Sequence, residues 1–197
     1  MNYQMLVNKN NILDRNYVPD NLVEYTEYNG EKIDKNHKTL VEIKTLEAFF
    51  EMQKDARLNN VDFVIDSGYR SYDYQAEILK ENLIEMGEDA YKYVALPGTS
   101  EHQTGLAIDV ALYKAGEYTD KFDDSFPEVK WLHENCYKYG FILRYPKGKE
   151  DITGYNYECW HFRYVGKELA YEIKEKEIST LEEYYLISDK KLVYNYK

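Results

Sequence analysis

Two short stretches of the chain contain side chains that can bind a metal ion and activate water. The first contains His102 and Asp109, and the second contains Glu158 and His161. Two imidazoles and two carboxylates can supply three ligands to a catalytic zinc, leave one position open for water, and place a base beside it. Only four histidines occur in the chain, and two of them lie here. The pattern therefore predicts a metal-dependent hydrolase.

Asp109 is the most informative residue of the first stretch, because it is a carboxylate inside the apolar segment 106–112. A buried carboxylate is costly unless it is paired or bound to a metal. His102 lies seven positions earlier, across the flexible Gly105, so the two side chains can converge on one ion. A histidine–aspartate hydrogen bond without metal is the alternative, and the residues alone leave both open.

Glu158 and His161 strengthen the metal interpretation under one structural condition. Residues three apart in a regular strand point to opposite faces of the sheet. Both can reach one site only if Glu158 lies in a turn or bulge before a strand that begins near Trp160. The alternative is a surface glutamate and a core histidine that flank a buried tryptophan.

Hydrophobic periodicity and turn residues predict alternating helices and strands. The predicted helices cover residues 39–58, 72–86, 127–139 and 181–187, and the predicted strands cover 61–65, 106–112, 141–145 and 160–165. Gly87 and Gly140 follow two of the helices, as is typical of helix ends. Residues 94–104 are predicted to form a loop. The sum is an α+β fold, a small and mostly antiparallel sheet with helices packed on it.

A chain of 197 residues is most simply a single domain with its own core. Residues 1–36, with many Asn, Asp and Tyr, are expected to wrap irregularly around the domain. Residues 37–166 are expected to form the catalytic core, and residues 167–197 a C-terminal helical segment.

The net charge of −11 disfavours nucleic acid as a partner, since phosphate binding requires a basic face. Residues 1–14 lack the apolar core of a signal peptide, and no run approaches the roughly 18 apolar residues of a membrane span. We therefore expect a cytoplasmic protein without a membrane segment, or a cell-envelope protein if an N-terminal anchor has been removed. The oligomeric state is not readable from the sequence.

Arg70 follows a predicted strand and a Ser-Gly turn, a position at which loops present functional groups. Its guanidinium can hold a substrate carbonyl or stabilise an oxyanion, although an ordinary surface cation is the alternative. Gln75 and Ser100 can each donate a hydrogen bond to a substrate carboxylate, and each can equally be a helix-surface or loop residue.

The remaining histidines and the cysteines are assigned simpler roles. His133 lies on the predicted helix 127–139, where a packed or a surface position is expected, and His37 is expected to lie in a loop. Cys136 and Cys159 form no CxxC pair, which excludes a zinc finger and favours reduced thiols. Cys159 could ligate a metal, but we expect it to pack behind the site.

Taken together, the motifs resemble the VanY-type zinc D-Ala-D-Ala carboxypeptidases, peptidase family M15B. The resemblance rests on Ser-Gly-Tyr-Arg-Ser at 67–71 with Gln75, on Ser-x-His-x-x-Gly-x-Ala-x-Asp at 100–109, and on Glu-x-Trp-His-Phe-Arg-Tyr-Val-Gly at 158–166. Further segments, including Phe-Ile-Leu-Arg-Tyr-Pro at 141–146, are similar to the bifunctional VanXY enzymes of vancomycin resistance. The resemblance covers most of the chain and implies the fold shared by lysostaphin-type peptidases, these metallopeptidases and the hedgehog domain.

The resemblance implies one zinc ion per chain, bound by His102, Asp109 and His161. It implies Glu158 as the catalytic base and Arg70 beside the scissile carbonyl.

It also implies that Gln75 and Ser100 help to hold the terminal carboxylate of the substrate. Trp160 is a further predicted substrate-binding residue. The expected activity is hydrolysis of the terminal D-Ala-D-Ala bond of peptidoglycan precursors, with a link to glycopeptide resistance and a small peptide ending in D-Ala as substrate.

Two alternative functions remain open at this point. An L,D-carboxypeptidase that trims tetrapeptide stems would use the same metal site. A non-catalytic, zinc-containing peptidoglycan-binding module belongs to a different class. Two loops, residues 113–127 and 146–156, are expected to select the substrate. Their sequences contain no pattern that indicates which of these functions applies.

Overall fold

Helices and strands alternate along the chain much as the sequence predicts. The computed structural model describes residues 1–26, 39–114 and 117–195. The strands are β1 (Leu22–Tyr25), β2 (Thr39–Glu42), β3 (Phe63–Ser67), β4 (Ala107–Lys114), β5 (Glu117–Thr119), β6 (Phe141–Leu143) and β7 (His161–Tyr164). The helices are α1 (Ile43–Leu58), α2 (Tyr72–Met86), α3 (Pro127–Asn135), α4 (Glu150–Thr153), α5 (Lys167–Glu175) and α6 (Leu181–Asn195). Short 3-10 helices cover Gly87–Lys92, Glu101–Thr104 and Cys136–Tyr139.

The main sheet is antiparallel and places distant parts of the chain side by side. Its strands lie in the order β3-β4-β7-β6, and β5 pairs with β4. Strands β1 and β2 form a separate antiparallel pair. Apolar side chains of α1 and α3 share one core with those of β3, β4 and β7. This arrangement confirms the predicted α+β class with a small antiparallel sheet.

Three strands present polar residues at the same level of the sheet. In the register, Asp109 of β4 lies opposite His161 of β7 on one side and opposite Ser67 of β3 on the other. Directly opposite residues on antiparallel strands project from the same face. A register shift between Ile65 and Ser67 marks a bulge in β3, a feature that often re-aims side chains beside a functional site. The sheet therefore brings the two predicted metal-binding segments together.

Helix α1 begins later than the sequence pattern predicts. Residues 39–42 form β2 because they pair with β1, so tertiary pairing overrides the helical pattern there. The buried Glu42 then caps the helix, since its carboxylate accepts hydrogen bonds from the N–H groups of Lys44 and Thr45 at 2.8 and 3.0 Å. These are N–H groups of the first turn, which have no partner within the helix.

Two further helices differ in detail from the prediction. Helix α2 ends before Gly87 as expected. Its sequence spaces Tyr72, Ala76, Leu79, Leu83 and Met86 along one stripe, but of these only Leu79 is buried. The predicted helix at 127–139 is divided, because α3 ends at Asn135 and a tighter 3-10 turn continues to Tyr139. Gly140 then adopts the left-handed conformation, with φ of 90°.

Four elements were not predicted individually. Strand β1 lies in the N-terminal segment that was expected to be irregular, and β5 and α4 lie in predicted loops. Helix α5 falls within the predicted C-terminal helical segment. Its buried Leu169, Ala170 and Ile173 form a second apolar cluster with residues of β6 and α6. The division of the chain at residues 36 and 166 stays a prediction.

A buried cluster of charged side chains connects the loop before β4 with both ends of the chain. Oε1 of Glu101 accepts hydrogen bonds from Nε of Arg144 at 2.8 Å and from Nη1 of Arg163 at 2.7 Å. Arg144 also donates two hydrogen bonds to Glu182 of α6, at 2.9 and 2.7 Å, and Asn8 donates to the same carboxylate. Both arginine residues are 0% exposed. Because both guanidinium charges are buried, the stability of this part of the fold depends on their carboxylate partners.

Replacement of Arg144 by methionine tests this dependence. We expect the free energy of unfolding to fall by about 3–5 kcal/mol, because buried carboxylates lose a partner. The matched control is Arg15→Met, which removes an arginine from an exposed pair with Asp73 and should cost no more than about 1 kcal/mol. Urea denaturation of both variants measures the difference. Equal losses in the two variants would contradict the assigned role of the cluster.

Across the described residues, no helix has the combination of length and apolar character that a membrane crossing requires.

Candidate metal centre

The three predicted metal ligands meet at one point. Asp109 and His161 lie opposite each other on β4 and β7, and His102 reaches them from the 3-10 turn Glu101–Thr104. One ligand atom from each residue lies within 4.8 Å of the other two, and all three residues are buried. The convergence that the sequence predicts is therefore present in the fold.

Gly105 makes this approach possible by reversing the chain between the turn and β4. It adopts the left-handed conformation, with φ of 68°. A Cβ at this position would lie 2.8 Å from Cδ2 of Leu22 and 3.2 Å from the backbone nitrogen of Glu42. Both the conformation and the close contact require glycine.

The ring of His102 is held in one orientation by the backbone. Its Nδ1 lies 2.6 Å from the carbonyl oxygen of Gly68. A carbonyl oxygen only accepts hydrogen bonds, so Nδ1 carries the proton and Nε2 keeps its lone pair. Nε2 lies 3.2 Å from Oδ2 of Asp109. Burial lowers the pKa of His102, which favours the neutral ring that a metal ligand requires.

Asp109 and His161 are also closely paired. Oδ1 of Asp109 lies 2.9 Å from Nδ1 of His161. Burial alone would raise the pKa of Asp109, but His102 and Arg70 hold it well below its usual range. Burial alone would lower the pKa of His161, but the carboxylates of Asp109 and Glu101 raise it to about 9.

Glu158 occupies the turn that the sequence analysis requires. It lies before β7, and the N–H of His161 donates to the carbonyl oxygen of Glu158 at 3.4 Å, which closes a turn over residues 158–161. Its carboxylate lies 3.7 Å from Nδ1 of His161. Only 7% of Glu158 is exposed, and burial raises its pKa to about 7. A carboxylate with a pKa near 7 can both accept and return a proton at neutral pH.

His133 supports this turn from behind. Its Nε2 lies 3.0 Å from the carbonyl oxygen of Cys159, to which it donates, and its ring lies beside Phe162. The packed position expected for His133 is therefore found, with an added backbone contact. Cys159 is buried in the main core, and burial raises the pKa of its thiol to about 11. It packs behind the site as expected, and both cysteines are free thiols. The predicted loop position of His37 lies outside the described residues.

Arg70 points into the same site. Its Nη2 donates to Oδ2 of Asp109 at 2.6 Å, and its Nε donates to Oγ of Ser67 at 3.0 Å. Two hydrogen bonds fix the guanidinium plane, and its remaining donors are available to a ligand. Its guanidinium supplies a fixed positive charge at the site of an acidic protein.

All eight site residues that the sequence predicts border one cleft of about 250 Å³. The predicted residues on its wall are Arg70, Gln75, Ser100, His102, Asp109, Glu158, Trp160 and His161. Such a volume is smaller than the roughly 300–1,000 Å³ of sites for drug-sized ligands and suits one or two small residues. Loop 146–156 contributes Tyr155 to the wall, whereas no residue of the described part of 113–127 does.

Gln75 and Ser100 are buried in this wall with donors to spare. Nε2 of Gln75 donates to the carbonyl oxygen of Ala95 at 2.9 Å, which leaves its second amide hydrogen. Oγ of Ser100 accepts from the N–H of His102 at 3.3 Å, which leaves the hydroxyl hydrogen. Each residue can therefore donate one further hydrogen bond.

Sequence reasoning missed several residues of the site. Tyr145, whose ring centroid lies 4.8 Å from that of His161, lines the cleft with Tyr93 and Tyr155. Glu101 lies behind the metal-binding residues. The sequence offered one indirect signal for Glu101. Arg144 and Arg163 each lie next to apolar residues of a predicted strand, and a buried arginine requires a buried acidic partner.

The donor set fits zinc. Two imidazole nitrogens and one carboxylate oxygen are the ligands of many catalytic zinc sites, which leave a fourth position open. The three residues are buried, and the hydrogen bond to Gly68 fixes which nitrogen of His102 is available. The carboxylate of Glu158 lies beside this set, 3.7 Å from Nδ1 of His161, and is not needed as a ligand.

Comparison with known proteins agrees with the geometry. The VanY profile, described as D-alanyl-D-alanine carboxypeptidase, matches residues 38–167. The chain is 43% identical over 186 residues to the putative carboxypeptidase YodJ of Bacillus subtilis, covering 93% of this chain and 67% of that protein. It is 40% identical over 194 residues to the bifunctional D-Ala-D-Ala dipeptidase and carboxypeptidase VanXYC of Enterococcus gallinarum, covering 94% of each. A D-alanyl-D-alanine carboxypeptidase of Enterococcus faecium is 44% identical over 137 residues, which are 69% of this chain but 41% of that protein.

Solved structures give the same result. The LD-carboxypeptidase LdcB superposes with a TM-score of 0.78 and 43% identity, covering 91% of this chain and 84% of that one. A mutant of the vancomycin resistance D,D-pentapeptidase VanY in complex with Zn(II) superposes with a TM-score of 0.76 and 33% identity, covering 94% and 99%. The chain therefore belongs to the VanY family of D-alanyl-D-alanine carboxypeptidases.

Proposed function

We propose that the protein is a zinc-dependent D,D-carboxypeptidase that releases the terminal D-Ala of peptidoglycan precursors, and that it also acts as a D,D-dipeptidase. One zinc ion per chain is held by His102, Asp109 and His161. The observation that supports this proposal most is the convergence of these three ligands with Glu158 in one small cleft.

Zinc in such a site lowers the pKa of water to about 7 and polarises a carbonyl group. Glu158 accepts the proton of the attacking water and then delivers it to the leaving amine. Its buried position beside His161, and a pKa raised to about 7, suit both steps.

Arg70 stabilises the negative charge that develops on the carbonyl oxygen. Its guanidinium is already oriented by Ser67 and Asp109, so little reorganisation accompanies the reaction. Gln75 and Ser100 hold the terminal carboxylate with their remaining donors, and Trp160 covers the peptide. Recognition of a free carboxylate makes the enzyme a carboxypeptidase rather than an endopeptidase.

Replacement of Arg70 by alanine is expected to lower kcat by about 10²–10³-fold, because a preorganised donor to the oxyanion is lost. Zinc content should stay at one per chain, since Arg70 is not a ligand. Arg57→Ala is the matched control, because Arg57 also pairs with an aspartate, Asp62, but does not line the cleft. Steady-state kinetics of both variants make the measurement. If Arg70→Ala had the same kcat as the wild type, the proposed role of Arg70 in stabilising the oxyanion would be wrong.

D,D-specificity is favoured over L,D-specificity by the relative that matches 94% of both chains, a D-Ala-D-Ala dipeptidase and carboxypeptidase. L,D-carboxypeptidase activity is the second candidate, because LdcB is the structural relative with 43% identity and a TM-score of 0.78. A link to glycopeptide resistance is part of the proposal, because the vancomycin resistance D,D-pentapeptidase VanY is a structural relative with a TM-score of 0.76.

A substrate panel tests the choice. The zinc-loaded protein is incubated with D-Ala-D-Ala, with a pentapeptide stem ending in D-Ala-D-Ala, and with a tetrapeptide stem, and released D-alanine is measured. We expect release from the first two substrates. Release from the tetrapeptide alone would replace the proposal by L,D-carboxypeptidase activity, and no release from any of them would favour a binding module.

A further inference from the structure

The carboxylate of Glu101 faces the side of the His161 ring that is turned away from Asp109. Nδ1 of His161 lies 2.9 Å from Asp109, whereas its Nε2 lies 3.8 Å from Oε2 of Glu101. Both Nε2 and Oε2 are buried, and neither has a hydrogen-bond partner. Buried polar atoms without partners are costly, so a donor on Nε2 and the acceptor of Glu101 satisfy each other if they approach slightly.

This arrangement matters for metal binding, and the argument here rests on the proposed zinc site. In this structure Nδ1 of His161 donates to Oδ1 of Asp109, and it is the nitrogen that lies beside the other candidate ligands, so a bound metal would take the place of its proton and require its lone pair. A neutral imidazole carries its proton on the other nitrogen in that case. The proton on Nε2 then points to the buried side, where Oε2 of Glu101 is the acceptor. Metal-binding histidines commonly donate their second N–H to a carboxylate in this way.

Glu101 is held firmly enough to serve as this acceptor. Its Oε1 is occupied by Arg144 and Arg163, which leaves Oε2 for His161. Arg163 in turn donates to the carbonyl oxygens of Tyr3 and Met5 at 3.0 and 2.7 Å. Residue 101 is 1% exposed, so water does not compete for its carboxylate. The two arginines therefore hold the carboxylate so that Oε2 faces His161.

The ring of His161 is equally restricted. Tyr145 packs at a centroid distance of 4.8 Å with a tilt of 42°, and His102 packs edge-on at 4.9 Å. These neighbours oppose an exchange of the two ring nitrogens by rotation, because interiors are close-packed. Each nitrogen therefore keeps its own partner.

From this geometry we propose that Glu101 is a positioning residue of the metal centre. It accepts a hydrogen bond from Nε2–H of His161 and thereby selects the tautomer in which Nδ1 is free to bind zinc. Glu101 does not touch the substrate, and it acts only through His161.

The test compares two glutamate-to-glutamine variants of the full chain, Glu101→Gln and Glu182→Gln. Glutamine at 101 can still accept from the arginines, but its amide would then turn a donor toward the donor on His161. The zinc dissociation constant, measured by competition with a chromogenic chelator, should rise by about 10–100-fold. Glu182→Gln alters the same buried cluster through Arg144 without facing His161. It should lower the melting temperature and leave the zinc dissociation constant unchanged.

Two results would overturn the proposal: zinc affinity of Glu101→Gln equal to that of wild type, or an equal loss of affinity in both variants. If Glu101→Gln fails to fold, the ¹H–¹⁵N spectrum of the zinc-loaded wild type decides the question. It should show His161 with an exchange-protected proton on Nε2, and zinc bound through Nε2 would contradict the proposal. Failure of the proposed function is distinguishable: a wild type that binds zinc but releases no D-alanine in the substrate panel would refute the activity and leave the role of Glu101 standing, whereas a wild type that binds no zinc would refute both proposals.

Discussion

Replacement of Glu158 by glutamine is expected to lower kcat by about 10²–10⁴-fold, the range typical of a lost general base. Glutamine keeps the size of the side chain but cannot accept a proton from water. Because Glu158 lies in the turn before β7 and outside the predicted ligand set, the metal site should survive the change. The measurement is kcat on a pentapeptide substrate with zinc content determined on the same sample.

The control is Glu128→Gln, which changes another buried glutamate that does not line the cleft. It should retain the kcat of the wild type. Full activity of Glu158→Gln would remove Glu158 from the role of base. Loss of zinc together with activity would instead make Glu158 a ligand and would contradict the proposed division of roles.

Removal of the metal is the second change with a large expected effect. Treatment with a chelator should abolish hydrolysis, and addition of zinc should restore it, because Arg70, the cationic side chain on the cleft wall, cannot bind water and lower its pKa. Zinc should also raise the melting temperature of the chelated protein. A ligand present at 100 times its dissociation constant stabilises the folded state by about 2.7 kcal/mol.

Single-histidine variants show whether this thermal shift arises at the proposed site. His102→Gln should lose the shift, since His102 supplies one of the three ligand atoms. His133→Gln should keep it, because His133 contacts the backbone of Cys159 and is no ligand. A thermal shift that persists in His102→Gln would place the zinc elsewhere, and activity that survives chelation would contradict a metallopeptidase.

The positions of the candidate site residues could be predicted from the sequence because they are fixed by local features. Asp109 was identified as a charge within an apolar strand, and the turn at Glu158 followed from the geometry of strands. The structure places both as predicted. Gly105 marked the chain reversal that allows His102 to approach. These inferences need only short segments, so single-sequence patterns suffice.

Features that depend on distant pairing could not be predicted. Residues 39–42 carry a helical pattern, and only their contact with β1 makes them a strand. Arg144 and Arg163 could be recognised as charges in apolar strands, but not as partners of Glu101. That partnership depends on the order of strands in the sheet, which the periodicity of each segment does not contain.

The central claim is that His102, Asp109 and His161 hold one zinc ion. Anomalous diffraction from crystals of the zinc-loaded protein, recorded on both sides of the zinc absorption edge, tests it most directly. We expect one peak per chain, within bonding distance of Nε2 of His102, a carboxylate oxygen of Asp109 and Nδ1 of His161. No peak at this point, or a peak at another group such as Cys159, would contradict it.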